Sequence, residues 1–353
     1  MDRIETLMKD FTEASGAPGD EREVFDLMSR QLKPFCEIEK DNLGSLIARL
    51  RGGKEPPKVM LSAHMDEVGF MVSHFTGKFI RFNPLGGWWP PVILGLRVKI
   101  KTSRGEVPGV VASKSPFHME EKERNAPLKA KDMYIDVGLT GNRSPDKLGI
   151  RPGDPVTVDF PFTLMKEKRS YMAKAWDDRL GCVMVVEVIR KLARMRLPNA
   201  VYGVGTVQEE VGIRGAVTSG RLIDPDICFV LEVNVAQDIP GSPEGSPEEL
   251  GGGVSICVYD ATLIPNTRLR DMVISVAEKK KIPYHLSAIP FGGTDGGKVH
   301  LNRHGVPTLV IGVPTRYIHS QAGIVCRKDF DNAVKLVVET VRIMDAKAVR
   351  KLL

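Results

Sequence analysis

The sequence predicts an α/β fold with a small β-barrel inserted into it. Apolar strand patterns alternate with helix patterns at both ends of the chain, which is typical of a sheet covered by helices. Between Phe70 and Phe162 the sequence pattern changes to short strand-like segments separated by Gly and Pro. This spacing is typical of a small barrel or sandwich. A chain of 353 residues is long enough for about two domains. We therefore expect an α/β domain over residues 1–70 and 164–353, and an inserted β-barrel domain over residues 71–163.

The N-terminal part begins with two predicted helices on either side of the Ser15–Asp20 turn. A hairpin of two strands, Ile38–Asp41 and Leu46–Leu50, follows them. Val59–Ala63 is a compact apolar strand that ends at His64-Met65-Asp66-Glu67. A buried strand that delivers polar side chains at its end is the first indication of a functional site.

The inserted block is predicted to contain six β-type runs and no convincing helix. They are Phe70–Phe75, Phe79–Phe82, Val92–Thr102, Val107–Ala112, Met133–Val137 and Pro155–Phe160. Ser113–Lys131 is a long polar loop rich in Lys and Glu, and its length makes it a candidate lid.

The α/β pattern returns at Ala173. The stretch Val201–Ala216 begins as a strand of small and β-branched residues and then runs into Glu209 and Glu210. The other predicted elements are helices Leu180–Met195, Gly215–Gly220, Arg268–Lys281 and Asp329–Met344, and strands Ile227–Leu231, His285–Ile289 and Val306–Ile311.

Composition excludes several function classes. The net charge of +6 comes from 50 basic and 44 acidic residues spread along the chain, so we expect no nucleic-acid partner. No apolar run approaches about 20 residues and charges interrupt the first eleven residues, so we expect no membrane association and a cytoplasmic location. Five widely spaced cysteines without a CxxC pair indicate reduced thiols rather than disulfides or a structural zinc site.

Polar, metal-competent residues recur where predicted strands end and where one helix begins. They are His64, Asp66, Asp177, Glu209, Glu210, Glu232 and His319. Each alone has an ordinary explanation: a solvated Glu pair, or an Asp that caps a helix. Together they favour a site, because the carboxyl ends of parallel strands meet at one edge and buried charges are costly unless paired or metal-bound. Two imidazoles and several carboxylates suit zinc, cobalt or manganese, with a shared carboxylate between two ions about 3.5–4 Å apart.

One glycine-rich stretch imitates a phosphate-binding loop. Gly292–Lys298 satisfies G-x-x-x-x-G-K, but Val299 stands where such a loop needs Ser or Thr to hold magnesium. Asp295 would also direct negative charge toward a bound phosphate. We instead expect this loop to let the backbone approach a peptide, which makes Gly293, Thr294 and Asp295 candidate substrate-binding residues.

Six motifs together resemble metallopeptidase family 42, the glutamyl-aminopeptidase-like and tetrahedral (TET) aminopeptidases. They are His64-Met65-Asp66-Glu67-Val68-Gly69, Asp177-Asp178-Arg179-Leu180-Gly181, Gln208–Ala216, Asp238-Ile239-Pro240-Gly241, Gly293-Thr294-Asp295 and Arg316-Tyr317-Ile318-His319-Ser320. The motifs span nearly the whole chain in the family's order. The resemblance implies a zinc-peptidase-like αβα sandwich, an inserted β-barrel used in dimerisation, and a homo-dodecameric tetrahedral particle built from dimers.

The resemblance also implies roles for individual residues and two divalent metal ions per subunit, zinc or else cobalt or manganese. One metal would be held by His64, Asp177 and Glu232. The other would be held by Asp177, Glu210 and His319. Glu209 would be the general base, and Asp66 would orient His64. The family often has Asp where this chain has Glu232, which leaves the geometry of the first site open.

The function that these residues imply is hydrolysis of the N-terminal peptide bond of peptides. Two alternatives stay open at this point. A glycoside hydrolase of the endoglucanase type would need two carboxyl groups about 5–9.5 Å apart and no metal, so resistance to chelators would favour it. A non-catalytic assembly protein would keep the fold without turnover, and Glu232 is its only support. The preferred N-terminal residue is not marked by any motif.

Overall fold

The computed structural model describes residues 1–167, 169–242 and 246–353. Its strands form a mixed 11-stranded sheet and a closed six-stranded barrel. Helices cover both faces of the large sheet, since apolar side chains from its two faces pack against helices in two separate clusters. The predicted α/β sandwich with an inserted barrel is confirmed.

The first elements are α1 (Arg3–Glu13), α2 (Arg22–Leu32), β1 (Cys36–Lys40), β2 (Leu46–Leu50) and β3 (Lys58–His64). Both helices are amphipathic and bury apolar side chains such as Phe11 and Met28 against the sheet. In β3 every residue after Lys58 is buried, as expected for a central strand covered on both faces.

The barrel consists of β4 (Gly69–Thr76), β5 (Phe79–Leu85), β6 (Arg97–Thr102), β7 (Gly105–Ala112), β8 (Tyr134–Asp136) and β9 (Pro155–Val158), with the short helix α3 (Glu121–Arg124) after β7. Its interior is a separate apolar cluster around Phe70, Ile100 and Ile135. The run predicted to begin at Val92 becomes a strand only at Arg97, because Pro90 and Pro91 open a 3₁₀ turn and have no N–H for a ladder. The domain limits at residues 70/71 and 163/164 stay a prediction.

The remaining elements are β10 (Thr163–Leu164), β11 (Ser170–Ala173), α4 (Trp176–Leu192), β12 (Ala200–Thr206), α5 (Arg214–Ile223), β13 (Ile227–Val235), β14 (Val254–Asp260), α6 (Thr267–Lys279), β15 (Tyr284–Ile289), α7 (Gly296–Val299), β16 (Thr308–Arg316), β17 (Gly323–Cys326), α8 (Arg327–Val341) and α9 (Ala346–Arg350). No helix in the part of the chain that the structure describes has both the length and the apolar character to cross a membrane.

The centre of the large sheet runs in the order β12-β3-β13-β16, and these four strands are parallel. Thr206 pairs with His64 at the last step of β12 and β3. Glu232 pairs with Gly312 between β13 and β16. The carboxyl ends of all four strands therefore lie side by side, which is where open α/β sheets bind ligands.

Candidate metal centre

The two histidines of the predicted site come from the ends of β3 and β16, the two strands that flank β13. His64 is the last residue of β3, and His319 follows β16 in a left-handed backbone conformation with φ 58°. The Nδ1 atom of His64 lies 3.1 Å from the backbone carbonyl oxygen of Asp66, and Nδ1 of His319 lies 2.8 Å from that of Gly87. Because a carbonyl oxygen only accepts, each Nδ1 carries the proton. In a neutral ring, the lone pair is then on Nε2.

Asp177 lies between these two Nε2 atoms, near the start of α4. Its Oδ1 is 2.8 Å from Nε2 of His64, and its Oδ2 is 3.2 Å from Nε2 of His319. Glu210 Oε1 is 3.3 Å from the same His319 nitrogen. Glu232 Oε2 and Glu209 Oε2 lie 3.9 Å and 4.0 Å from Nε2 of His64. Every residue predicted as a metal ligand or base is therefore part of one cluster.

The buried glutamates of this cluster are unfavourable as carboxylates unless a positive charge lies close to them. Burial raises the pKa of Glu209 and of Glu210, and burial together with Asp178 raises that of Glu232. Burial would lower the pKa of His319, but the carboxylates of Asp177 and Glu210 outweigh it and raise the pKa to about 11. These pKa shifts indicate that a positive charge at the Nε2 positions would stabilise the ionised carboxylates.

The donor atoms of this cluster suit a metal ion. Imidazole lone pairs and carboxylate oxygens that face one another are the donor set of zinc and related ions. Glu210 Oε1 is buried and accepts no hydrogen bond from the described residues, although His319 is close by. Two groups of side chains place one ligand atom each within 4.8 Å of one another: His64, Asp177 and Glu210, and His64, Asp178 and Glu232. The residues present therefore suit metal ions.

Asp178 is a member of the site that is not among the candidate residues predicted from the sequence. It is fully buried, and its Oδ1 accepts a hydrogen bond of 2.9 Å from the N–H of Gly181. Its Oδ2 accepts one of 3.2 Å from the N–H of His64. Burial raises the pKa of Asp178 well above its usual range. The sequence signal that could have identified Asp178 is its position directly after Asp177, because one Asp is enough to cap a helix.

Asp66, which is predicted to orient His64, lies against the Nδ1 side of that imidazole and also contacts the two glutamates. Its backbone carbonyl takes the closest contact with the imidazole, while its carboxylate lies 3.4 Å from Nδ1. The carboxylate accepts the N–H groups of Glu209 at 3.0 Å and of Glu210 at 3.1 Å. Asp66 therefore fixes the turn that follows β12 and aims both glutamates at the cluster.

The cluster opens into a cavity of about 590 Å³. Gly293 and Thr294, two of the predicted substrate-binding residues, line it. Asp295 is instead buried in the sheet, where its Oδ2 accepts hydrogen bonds from Ser62 at 2.6 Å and Thr206 at 2.7 Å. The carboxylate of Asp295 therefore faces the sheet and does not line this cavity, in contrast to the prediction that it binds substrate.

Comparison with known proteins places the chain in a family. Residues 44–336 match the family model described as M42 glutamyl aminopeptidase. The TET aminopeptidase of a marine sediment archaeon of the Thaumarchaeota is 41% identical, with a TM-score of 0.97 and complete coverage of both chains.

Two curated relatives have the same degree of similarity but different specificities in their names. The lysyl aminopeptidase of Pyrococcus furiosus is 33% identical over 96% of this chain and 98% of the relative. The glutamyl aminopeptidase of Lactococcus lactis is 33% identical over 92% of this chain and 91% of the relative. The resemblance seen in the sequence is confirmed: the chain belongs to the M42 glutamyl aminopeptidase family and is a metallo-aminopeptidase, a hydrolase acting on peptide bonds.

Proposed function

We propose that the chain removes N-terminal residues from peptides at a co-catalytic centre of two divalent metal ions. The observation that carries this proposal is the position of Asp177, whose two carboxylate oxygens each face the Nε2 atom of a different histidine. A carboxylate shared in this way is what two adjacent ions require. His64, Asp177 and Glu232 would hold one ion, and Asp177, Glu210 and His319 the other. The ions, zinc or else cobalt or manganese, would supply an activated water and polarise the scissile carbonyl.

Glu209 is the general base in this proposal. Its side chain lines the cavity, and its Oε2 lies 4.0 Å from Nε2 of His64. Burial raises its pKa, and the positive charge of His64 opposes that rise, so a cationic centre would favour its ionised form. One carboxylate oxygen then takes the proton of the attacking water and returns it to the leaving amine.

The barrel and the outer surface are proposed to build a homo-dodecamer from dimers. Large apolar side chains lie exposed on the barrel, including Trp89 at 67% and Phe117 at 96%. Others lie beside β14 and β15, including Ile264 at 76% and Phe291 at 99%. Exposed apolar side chains of this size are typical of interaction surfaces. A cytoplasmic location stays a prediction from the sequence.

The test is metal-dependent turnover. The purified chain should lose activity on aminoacyl chromogenic substrates after dialysis against a chelator and regain it with zinc, cobalt or manganese. Peptides with an acetylated N-terminus should not be cleaved. Full activity after chelation, or cleavage of cellulose instead of peptides, would contradict the proposal.

A further inference from the structure

The cavity beside the metal centre has one charged side chain that the centre does not use. The members of the cluster that line this cavity are His64, Asp177, Glu209, Glu210, Glu232 and His319. Glu248 is the additional charged lining residue. The other lining groups include the apolar side chains of Val233, Val235 and Ile289 and the amide of Gln237. No Lys or Arg of the described residues lines the cavity, so nothing there offers a permanent positive charge to a substrate.

Glu248 is held in place by neutral donors only. It is 3% exposed. Its Oε1 accepts hydrogen bonds from Ser255 Oγ at 3.0 Å and from Asn234 Nδ2 at 3.3 Å. Asn234 is fixed in turn by a bond of 2.7 Å to Ser287 Oγ. Within residues 1–167, 169–242 and 246–353, no group donates to the other oxygen, Oε2. The carboxylate is thus rigid on one side and available on the other.

The nearest basic group does not satisfy this carboxylate. His285 Nε2 lies 3.8 Å from Glu248 Oε1, which is beyond hydrogen-bond distance. Both ring nitrogens of His285 are buried without a hydrogen-bond partner in the described part of the chain. A buried carboxylate is costly unless a cation pairs with it. A cationic group of the substrate would remove that cost.

We propose that Glu248 makes this aminopeptidase select peptides whose N-terminal residue is Lys or Arg. The inference rests on the proposed function, because it assigns the residue cleaved at that same centre. Val233, Val235 and Ile289 would contact the methylene groups of the substrate side chain, and Glu248 would pair with its ammonium or guanidinium group. An N-terminal Glu or Asp would meet a like charge and no compensating cation.

The experiment compares lysyl and norleucyl p-nitroanilides, since norleucine has the four-carbon side chain of lysine without the ammonium group. We expect kcat/KM of the wild-type enzyme to be roughly 10- to 100-fold higher for the lysyl substrate, the range for one buried charged hydrogen bond. Glu248→Gln should bring this ratio close to one. The neighbouring Glu249 is exposed, so Glu249→Gln is the matched control and should leave the ratio unchanged.

A binding measurement separates this inference from the proposed function. Calorimetry of L-lysinamide and L-norleucinamide with the Glu209→Gln enzyme reports selection without turnover. Preferential binding of lysinamide supports the role of Glu248 even if the wild-type enzyme cleaves neither anilide, a result that would refute the aminopeptidase proposal alone. Equal binding of the two amides, or a wild-type kcat/KM ratio near one, overturns the assignment of Glu248 and leaves the proposed function standing.

Discussion

At the scale of single residues, the two carboxylates predicted for the first metal have unequal positions. Asp177 contacts both imidazoles. Glu232 lies near His64 only and shares its surroundings with Asp178, whose charge helps to raise the pKa of Glu232. The two residues should therefore differ in their importance for metal binding.

Substitution of these two residues should separate one metal site from both. Glu232→Ala should lose about one metal ion per subunit and most activity, whereas Asp177→Ala should lose both ions because the shared ligand is gone. Elemental analysis of the purified variants measures this directly. Glu249→Ala, which removes an exposed carboxylate, is the control and should keep the wild-type content. If Glu232→Ala keeps two tightly bound ions, Glu232 is not a ligand.

Residue types at strand ends could be predicted from the sequence, but most of their partners could not. The Nδ1 atom of His319 faces the carbonyl of Gly87, a residue 232 positions earlier in the chain. No local pattern encodes such a contact, because it depends on how the barrel is placed against the sheet. Glu248 could not be predicted from the sequence for the same reason. Its position in the cavity depends on hydrogen bonds from Asn234 and Ser255, which only the fold brings close to it.

At the scale of elements, the long helices were predictable, whereas the exact limits of strands and the shortest strands were not. Residues 1–64 follow the prediction closely. The sequence predicts a strand that ends at Leu231, but β13 continues to Val235, so Glu232 lies inside the strand and not after it. The β-branched Val233 and Val235 were the available signal. The four-residue strands β11 and β17 have too few alternating positions to be recognised, since their partners define them.

One pH-sensitive contact joins two elements away from the metal centre. Asp329, in the first turn of α8, accepts the N–H groups of Gly251 at 2.6 Å and Gly253 at 3.0 Å. These bonds tie α8 to the segment that enters β14. Burial raises the pKa of Asp329 to about 6, although both hydrogen bonds oppose the rise. The folded state therefore holds this proton more tightly than the unfolded state does.

The sign of the resulting pH dependence follows from linkage. Below about pH 4 both states are protonated, and between about pH 4 and 6 the unfolded state ionises first, so stability falls as pH rises. The loss is roughly 2–3 kcal/mol and persists above that range. Asp329→Asn cannot ionise but forfeits one hydrogen bond, about 1–2 kcal/mol. In urea titrations, its free energy of unfolding should lie below that of the wild type at pH 4 and approach or exceed it at pH 7. A gap that does not change with pH would contradict the raised pKa.

At the scale of the whole molecule, the barrel contributes to the site as well as to the surface. Gly87, in the segment that follows β5, fixes the ring of His319, so the barrel is structurally coupled to the metal centre. Composition and periodicity located the barrel but gave no information on self-association, which came from the family resemblance. The exposed apolar side chains are the structural support for that expectation.

Light scattering of the intact chain should show a particle of about twelve subunits. Replacing the exposed Trp89 and Phe117 of the barrel with Asp should reduce the particle to smaller species, because charges at an apolar interface are left unpaired. Circular dichroism of the variant controls for folding. A clean monomer of the wild-type chain at micromolar concentration would contradict the proposed assembly.

The central claim is that a two-metal cluster works with Glu209 as the base, and one variant tests it most directly. Glu209→Gln keeps the size of the side chain and removes its ability to take a proton. The account predicts unchanged metal content, measured on the same sample, together with a fall in kcat of roughly 10²–10⁴-fold. Near-native turnover with both metals bound would contradict it.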